Sequence, residues 1–466
     1  MYQFLTALHG GAAALATLHL LLRYKSPRAA VAWLFSFWLL PGLGVIVYVL
    51  FAAYPVPRGI RRRRSRAQAL RQDRPATAQA ASYPKGTFDP PFQRLADAIG
   101  AFPLAAGNAV EILPDGDAAY DAMLDAMAKA EDHVCLGTYI LDDGAILDRL
   151  LEVLADRAAA GVDVRVLYDH LGSISISNRA LRRFEAAKVR TVPWLRPNPL
   201  KGRFQLNYRN HRKILVVDGA IAFTGGQNWS DEYSETHCSG RGRRDLHVRL
   251  RGPAVAAVHR VFDEDWCLAA DEEPRHVEAP AAAGDLPVRV VPHGPDEEVG
   301  RLAPLLATAL AHADREVLLV TPYFAPGGMM LEAFCIAALR GADVTLLMPR
   351  RSDSVLADLA ARHNFAALLD AGVKMRLAAG PVLHAKALAA HERWATLGSA
   401  NYDQRSFLAN FEMNLEIVDA GFAKKVKAHF EKELEATKPL EAELWNRRST
   451  WSRALSSAAN LFEPVL

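Results

Sequence analysis

The chain has 466 residues, room for two or three domains, and 51% of them are apolar, as in a globular body with a membrane segment attached. The formal net charge of +3 is unevenly spread: residues 1–71 hold ten Lys and Arg and no acid, which leaves 45 basic against 52 acidic residues, a net of −7, for the rest. An acidic body excludes a general nucleic-acid binder, and four scattered cysteines (Cys135, Cys238, Cys267, Cys335) with no C-x-x-C pair argue against a disulfide framework or a zinc site.

Phe4 to Leu22 is apolar apart from His9 and His19, and the run from Ala29 to Ala53 carries no charge at all. Roughly 20 apolar residues cross the hydrocarbon layer as a helix, so residues 1–57 are expected to form a membrane module with spans at about 4–22 and 30–53. Trp33, Trp38, Tyr48 and Tyr54 are the aromatics expected around such a span, and Pro41-Gly42 kinks it. Six arginines (Arg58, Arg61 to Arg64, Arg66) outnumber the loop's Arg23, Lys25 and Arg28 and place the body in the cytoplasm. A re-entrant hairpin is the alternative to two spans. A cleaved signal peptide is disfavoured, because no basic segment precedes the first apolar run.

A basic linker is expected over residues 58–105, then two α/β halves over 106–280 and 281–440, and an amphipathic tail over 441–466. In the first half His133–Ile140 reads as a buried strand, Ala145–Ala160 as a helix with apolar residues at 146, 147, 150, 151 and 154, Gly161 as its cap and Val162–Tyr168 as the next strand. The second half repeats that order in Glu316–Thr321, Met330–Leu339, Gly341 and Val344–Met348. The repeat predicts two pseudo-equivalent α/β domains, each a parallel or mixed sheet flanked by helices, meeting across an interface. The tail from Trp451 to Leu466 is expected to lie in a membrane interface or to dock on the body.

The polar repeat is sharper. His211 and Lys213 return in the second half as His384 and Lys386, and each histidine is followed at the same spacing by an asparagine, Asn228 and Asn401. The runs Ile214–Val217 and Ala387–Ala390 follow each pair, and on a strand residues i and i+2 share a face. Two histidines from two halves divide the work of phosphoryl transfer: one neutral imidazole attacks phosphorus, and one imidazolium protonates the leaving oxygen. Lys213 and Lys386 would neutralise phosphate charge while Asn228 and Asn401 donate further hydrogen bonds. No metal or other cofactor is needed, and no carboxylate cluster is suited to hold a divalent ion. Each histidine wants an acid on its other nitrogen. Glu412, which follows His384 on a later apolar run, is the expected orienter of His384. Asp245, which follows His211 at a slightly longer spacing, is its counterpart in the first half.

His211-x-Lys213 with Asp218, followed by Gly225-Gly226-Gln227-Asn228, resembles the HKD motif of the phospholipase D superfamily. The two-span N-terminus, Tyr139 to Asp143, Arg209 to Lys213, Thr321 to Phe324, Asn401 to Phe407 and the ending Glu463 to Leu466 resemble the bacterial cardiolipin synthase branch, over nearly the whole chain. The resemblance implies a multi-pass enzyme of the bacterial inner membrane. Two molecules of phosphatidylglycerol would become cardiolipin and glycerol through a phosphatidyl-histidine, with no nucleic-acid partner. It implies His211 as nucleophile, His384 as acid and base, and Ser399 as the small hydroxyl before Asn401, where the first half has Gly226.

One position departs from the pattern: residue 391, where the second motif's aspartate belongs, is His391. If that aspartate only caps a strand turn, the change is tolerated. If not, the second half is impaired, unless Glu392 substitutes. The competing functions are a phospholipase D hydrolysing lipid, a nuclease, which the acidic body disfavours, and a non-catalytic membrane scaffold.

Overall fold

The computed structural model of the chain describes residues 2–22, 27–51, 81–83, 90–196, 207–238, 242–275, 277–295 and 300–463. The arginine cluster at 58–66, most of the expected linker and the last three residues lie outside them.

The chain is mixed α/β. Strands β1 (Ala105–Leu113), β2 (His133–Thr138), β3 (Asp163–Asp169), β4 (Arg190–Trp194), β5 (Ile214–Val217), β6 (Ile221–Gly225) and β7 (His247–Arg251) come from the first half. Strands β8 (Leu286–His293), β9 (Glu316–Val320), β10 (Asp343–Pro349), β11 (Lys374–Ala378), β12 (Ala387–Ala390), β13 (Trp394–Gly398) and β14 (Glu412–Ile417) come from the second. All fourteen form one sheet, in the order β11-β10-β9-β12-β13-β14-β8-β1-β7-β6-β5-β2-β3-β4. Read outward from the centre, each half has the same order, shifted by seven strands. The halves therefore share a sheet, joined by an irregular antiparallel pairing of β1 with β8 (Ala105↔Val288, Asn108↔Leu286).

In each half the three outer strands run parallel and the rest antiparallel. The parallel strands are the apolar runs linked by helices, as crossovers require. Ile214-Leu-Val-Val217 and Ala387-Leu-Ala-Ala390 are buried throughout and turn back as hairpins. Both hairpins turn through left-handed residues: Asp218 (φ 51) with Gly219 (φ 62), and His391 (φ 58) with Glu392 (φ 54). One apolar core takes side chains from both halves, including Trp194, Val248, Trp266, Val290, Leu397 and Phe411. Phe262 and Trp266 reach it from the helix Val255–Ala270, and Phe422 and Val426 from Ala420–His429.

The N-terminal expectation needs correction. Tyr2–Leu21 is one helix, but the long apolar run breaks into Pro27–Leu39 and Leu43–Phe51 around Gly42 (φ 73). The two pieces fold onto each other. A Cβ on Gly44 would lie 2.0 Å from the Ser36 carbonyl oxygen, so only glycine permits that approach. Tyr48 packs edge-on against Phe37 (4.8 Å) and Trp33 (5.3 Å), and its hydroxyl lies 2.8 Å from His19 Nδ1. Helices of 13 and 9 residues rise about 20 and 14 Å, short of a hydrocarbon layer of about 30 Å. Tyr2–Leu21 has the length, but Thr6, His9, Gly10, Gly11, Thr17 and His19 dilute it. No helix among the described residues is long and apolar enough to cross a membrane.

At the other end, helix Thr450–Asn460 docks on Val355–Asp370, with His363 Nδ1 3.1 Å from Ser457 Oγ. The buried Glu463 carboxylate accepts from the Gly327 N–H at 2.7 Å.

Candidate active site

His211–Lys213 and His384–Lys386 lie just before β5 and β12, not within them. What positions them is the opposite half. The His211 N–H donates to the Phe411 carbonyl (2.9 Å), and the Phe411 N–H donates to the Arg209 carbonyl (2.8 Å). The His384 N–H donates to the Arg244 carbonyl (2.7 Å), and Val382–Leu383 pairs in parallel with Arg243–Arg244. Each histidine is thus tied to the residue directly before the other half's acid.

The carboxylates consequently cross over. His211 Nδ1 lies 3.1 Å from Glu412, and His384 Nδ1 lies 2.6 Å from Asp245. The expected pairing of His384 with Glu412 and of His211 with Asp245 is wrong. Each histidine is oriented by the acid of the other half. Glu412 also accepts from Ser399 Oγ, from Ser406 Oγ (3.0 Å) and from Asn410 Nδ2 (3.2 Å). The Ser399 carbonyl is a second acceptor for His211 Nδ1, at 3.1 Å. With two acceptors on that side, Nδ1 carries the ring proton and Nε2 keeps its lone pair.

The difference between the acids explains that between Gly226 and Ser399. Gly226 donates its N–H to the Leu246 carbonyl, as Ser399 does to that of Met413, so the two positions correspond. A Cβ on Gly226 would lie 2.1 Å from Asp245 Oδ1. The shorter aspartate comes close to the backbone there, and no side chain fits.

His211, His384, Asn228 and Asn401 all line one cleft of about 270 Å³. Asn228 is fixed by the Ile140 N–H (3.1 Å) and by Tyr233 Oη (2.8 Å). Asn401 and Asn410 line the same cleft, and the side-chain oxygen of each is buried without a protein partner. Lys213 and Lys386 lie behind the cleft wall. Lys213 Nζ donates to the His211 carbonyl (2.7 Å) and sits 5.1 Å from the Tyr139 ring centre. Lys386 Nζ bonds the His384 carbonyl and lies 2.7 and 3.2 Å from that histidine's two ring nitrogens. Glu412, Asp245 and Ser399 are equally buried and support the histidines without lining the cleft.

Burial dominates the electrostatics. It lowers the His211 imidazole to about 4 against the opposing pull of Glu412, and holds His384 well below its ordinary value with help from Lys386 and Arg243. It lowers Lys386 to about 8 against the pull of Asp245, and leaves Lys213 well below the usual lysine range. Burial raises Asp245 above the usual carboxylate range. It pushes Glu412 up too, but the opposing pull of His211, Lys213 and Ser399 is larger and keeps it ionised. Two acids behind two lysines and two imidazoles suit an anion that returns charge to the lysines.

Asp218 is not in the site. Its carboxylate accepts from the N–H groups of Glu131, Asp132 and His133, each at 2.9 Å, beyond the far end of β5. The corresponding turn in the second half is fastened differently: His391 Nδ1 lies 3.5 Å from Asp314, and Glu392 forms an ion pair with Arg315 (3.2 Å). Position 391 is therefore a turn residue, away from the cleft.

Several cleft residues escaped the sequence reading as site members. Arg243 joins Asp353 (2.9 Å) and Glu232 (2.8 Å), and Tyr323 donates its hydroxyl to Asp353. Tyr139 and Tyr323 set their rings edge-on to His211 (4.8 Å) and His384 (6.3 Å). Both tyrosines closely follow the first parallel strand of their half, which was the available signal. Arg243 lies in the Gly/Arg-rich stretch before Asp245, and nothing in its spacing marks it.

The family model described as cardiolipin synthase, phospholipase D-like domain, matches residues 123–266 and 306–434. A cardiolipin synthase of Geobacillus thermodenitrificans is 32% identical over 456 residues, covering 96% of this chain and 90% of that protein. Cardiolipin synthase A of Pseudomonas putida is 31% identical over 459 residues, covering 97% and 95%. Among solved structures, phosphatidylserine synthase of Haemophilus influenzae shares the fold with a TM-score of 0.62 at 15% identity, over 81% of this chain and 100% of that one. Two copies of one domain, matched in one chain and closing on one cleft, place this protein in the cardiolipin synthase family of phospholipase D-like proteins.

Proposed function

We propose that this chain is a phosphatidyltransferase that makes cardiolipin and glycerol from two molecules of phosphatidylglycerol. The observation that carries the reading is the pair of imidazoles in one cleft, each held by a carboxylate of the other half. His211 Nε2 attacks the phosphorus of the first lipid. The P–N bond forms, the bond to the headgroup oxygen breaks, and His384 gives that oxygen a proton, releasing glycerol. A headgroup hydroxyl of the second lipid then attacks the same phosphorus. His384 takes its proton, the P–N bond breaks, and cardiolipin leaves with both histidines restored. Lys213 and Lys386 hold charge against the phosphate oxygens, and Asn228 and Asn401 help place them. The arriving anion raises the affinity of His384 and both lysines for protons, which arms His384 as the acid. The carboxylate of Asp353, in the cleft lining, is an acceptor that fits a headgroup hydroxyl.

Residues 106–280 and 281–440 are the two catalytic domains in this reading, and residues 1–57 with the tail 441–466 seat them on the bacterial inner membrane, with the body in the cytoplasm. The three N-terminal helices turn Phe4, Leu15, Phe35 and Leu39 outward around a small inner core of Ala13, Ala16, Phe37 and Tyr48. Trp451, Leu455, Leu461 and Phe462 of the tail are exposed as well. Apolar side chains facing out fit a lipid phase. Neither a nucleic acid nor a cofactor takes part.

Purified protein in phosphatidylglycerol vesicles is expected to release one glycerol per cardiolipin, and His211→Ala and His384→Ala are expected to be inactive. Phosphatidic acid as the sole product would replace the transferase with a hydrolase. No phosphodiester turnover at all would leave a scaffold.

A further inference from the structure

At the far end of the first half, three ligand-bearing side chains meet that the reaction does not use. His133 and Cys135 are two residues apart on β2 and so share a face of the sheet. Val134 and Leu136 point into a different core. The helix Val255–Ala270 packs on the Cys135 face and brings His259 to it, with His259 Nε2 3.8 Å from Cys135 Sγ. The two imidazoles stack with centres 4.7 Å apart and planes 27° apart. One ligand atom from each of the three lies within 4.8 Å of the other two, and all three residues are buried. His133 Nε2 and His259 Nδ1 are buried and have no hydrogen-bond partner, which for two polar atoms in one spot is a standing cost.

We propose that His133, Cys135 and His259 bind one transition-metal ion of the zinc class. Two imidazole nitrogens and a thiolate suit Zn²⁺ or Co²⁺ and not Mg²⁺ or Ca²⁺. Bonds of about 2.0–2.3 Å put ligand atoms about 3.3–3.8 Å apart, so the rings draw in by about 1 Å on binding. Water takes the fourth position. Binding releases the Cys135 thiol proton to solvent. The support around the ligands is already built. Asp132 Oδ2 lies 2.6 Å from His133 Nδ1, which leaves Nε2 for the ion. Asp218 holds the backbone N–H groups of Asp132 and His133. The cysteine spacing spoke against a zinc site because it looked for paired cysteines, and two of these ligands are histidines, one brought from 124 residues away.

The site is remote from the reaction. β2 runs antiparallel to β5, and Val134 is opposite Val217, so about six residues of extended chain, about 20 Å, separate it from His211. The ion therefore clamps β2 to its covering helix and leaves catalysis alone.

Untagged full-length protein, stripped with a chelator, is expected to take up one equivalent of Co²⁺ with a thiolate-to-cobalt absorption band. Zn²⁺ then displaces the cobalt and raises the Tm by about 4 °C or more. Cys135→Ser is expected to abolish the band and the Tm shift while cardiolipin synthesis stays within twofold of the parent. X-ray absorption of the zinc-loaded wild type, which needs no variant, is expected to show one sulfur and two imidazole nitrogens around the metal. A folded wild type with no cobalt–thiolate band, a band that survives Cys135→Ser, or a zinc shell without sulfur would each overturn the proposal.

Discussion

Replacing Glu412 by Gln tests the crossed pairing and the division of labour together. The change keeps the shape of the side chain and removes a charge that faces four donors: His211 Nδ1, Ser399 Oγ, Ser406 Oγ and Asn410 Nδ2. When His211 carries the phosphatidyl group its ring is cationic, and the carboxylate about 4 Å from the ring's charge stabilises it by about 4 kcal/mol at an effective dielectric of about 20. At about 1.36 kcal/mol per tenfold, the transfer should slow about a thousandfold. The Ser399 carbonyl still holds the tautomer, so the loss should not be total. The variant should also lose roughly 1–3 kcal/mol of stability, because an amide NH₂ cannot accept from the donors it replaces. Asp245→Asn should be similarly slow, but through His384 and the proton for the leaving group.

A substrate with an acidic leaving group separates the two. With a phosphatidyl aryl ester, release needs no proton. Asp245→Asn should recover most of its first-step rate, and Glu412→Gln should not. The assay is initial release of the aryl alcohol in vesicles, with a melting curve for each variant. A Glu412→Gln enzyme that is folded and within tenfold of wild type, or a rescue seen for Glu412→Gln and not for Asp245→Asn, would refute the reasoning.

Gly226→Ala puts a methyl 2.1 Å from Asp245 Oδ1, so it should displace the acid and cost at least a hundredfold in rate, measured as cardiolipin formed. Asp218→Ala loses three hydrogen bonds to backbone N–H groups at a partly exposed turn and should lower stability by about 1–2 kcal/mol by denaturant titration, with kcat within threefold. His391→Asp should likewise leave the rate within tenfold. In the pH profile of kcat/KM the acid limb should fall near 4, where His211 becomes protonated and loses its lone pair, and not near 6.5. The basic limb of kcat/KM should reflect His384, which must carry the leaving-group proton and is held well below its ordinary value in the free enzyme, and it should move upward in kcat because bound phosphate favours the charged imidazole.

The elements most legible in the sequence were those set by local pattern. The strands around Val134 and Val164, the helix Ala145–Ala159 and both hairpin arms follow from apolar runs of the right length closed by glycine or a tight turn. The membrane spans were not legible in that way. The kink at Pro41-Gly42 and the re-entrant alternative were readable, but a hydropathy run counts residues and does not register that Gly44 lets the two arms close on each other. Asp218 was expected in the site because it completes the motif that His211 and Lys213 begin. In a strand, however, closeness in sequence is distance in space: each residue adds about 3.3 Å, and Asp218 ends up beyond the other end of β5.

The crossed carboxylates show why the site itself was only half legible. An acid that follows each histidine at a similar spacing, Asp245 after His211 and Glu412 after His384, invites pairing within a half. The strand order works against it, because β6 lies between β5 and β7, and β13 between β12 and β14. Strands two places apart are about 9.5 Å distant, more than three times a hydrogen bond. The chain segments entering β5 and β12 reach the other half instead, through the bonds of His211 to Phe411 and of His384 to Arg244. The repeat identifies which residues matter, while their pairing depends on how the two copies meet. Because each imidazole takes its orienting acid across the join, neither half alone contains an oriented histidine. The duplication is therefore part of the chemistry, and the apolar core shared by the two halves helps to set the geometry of the reaction.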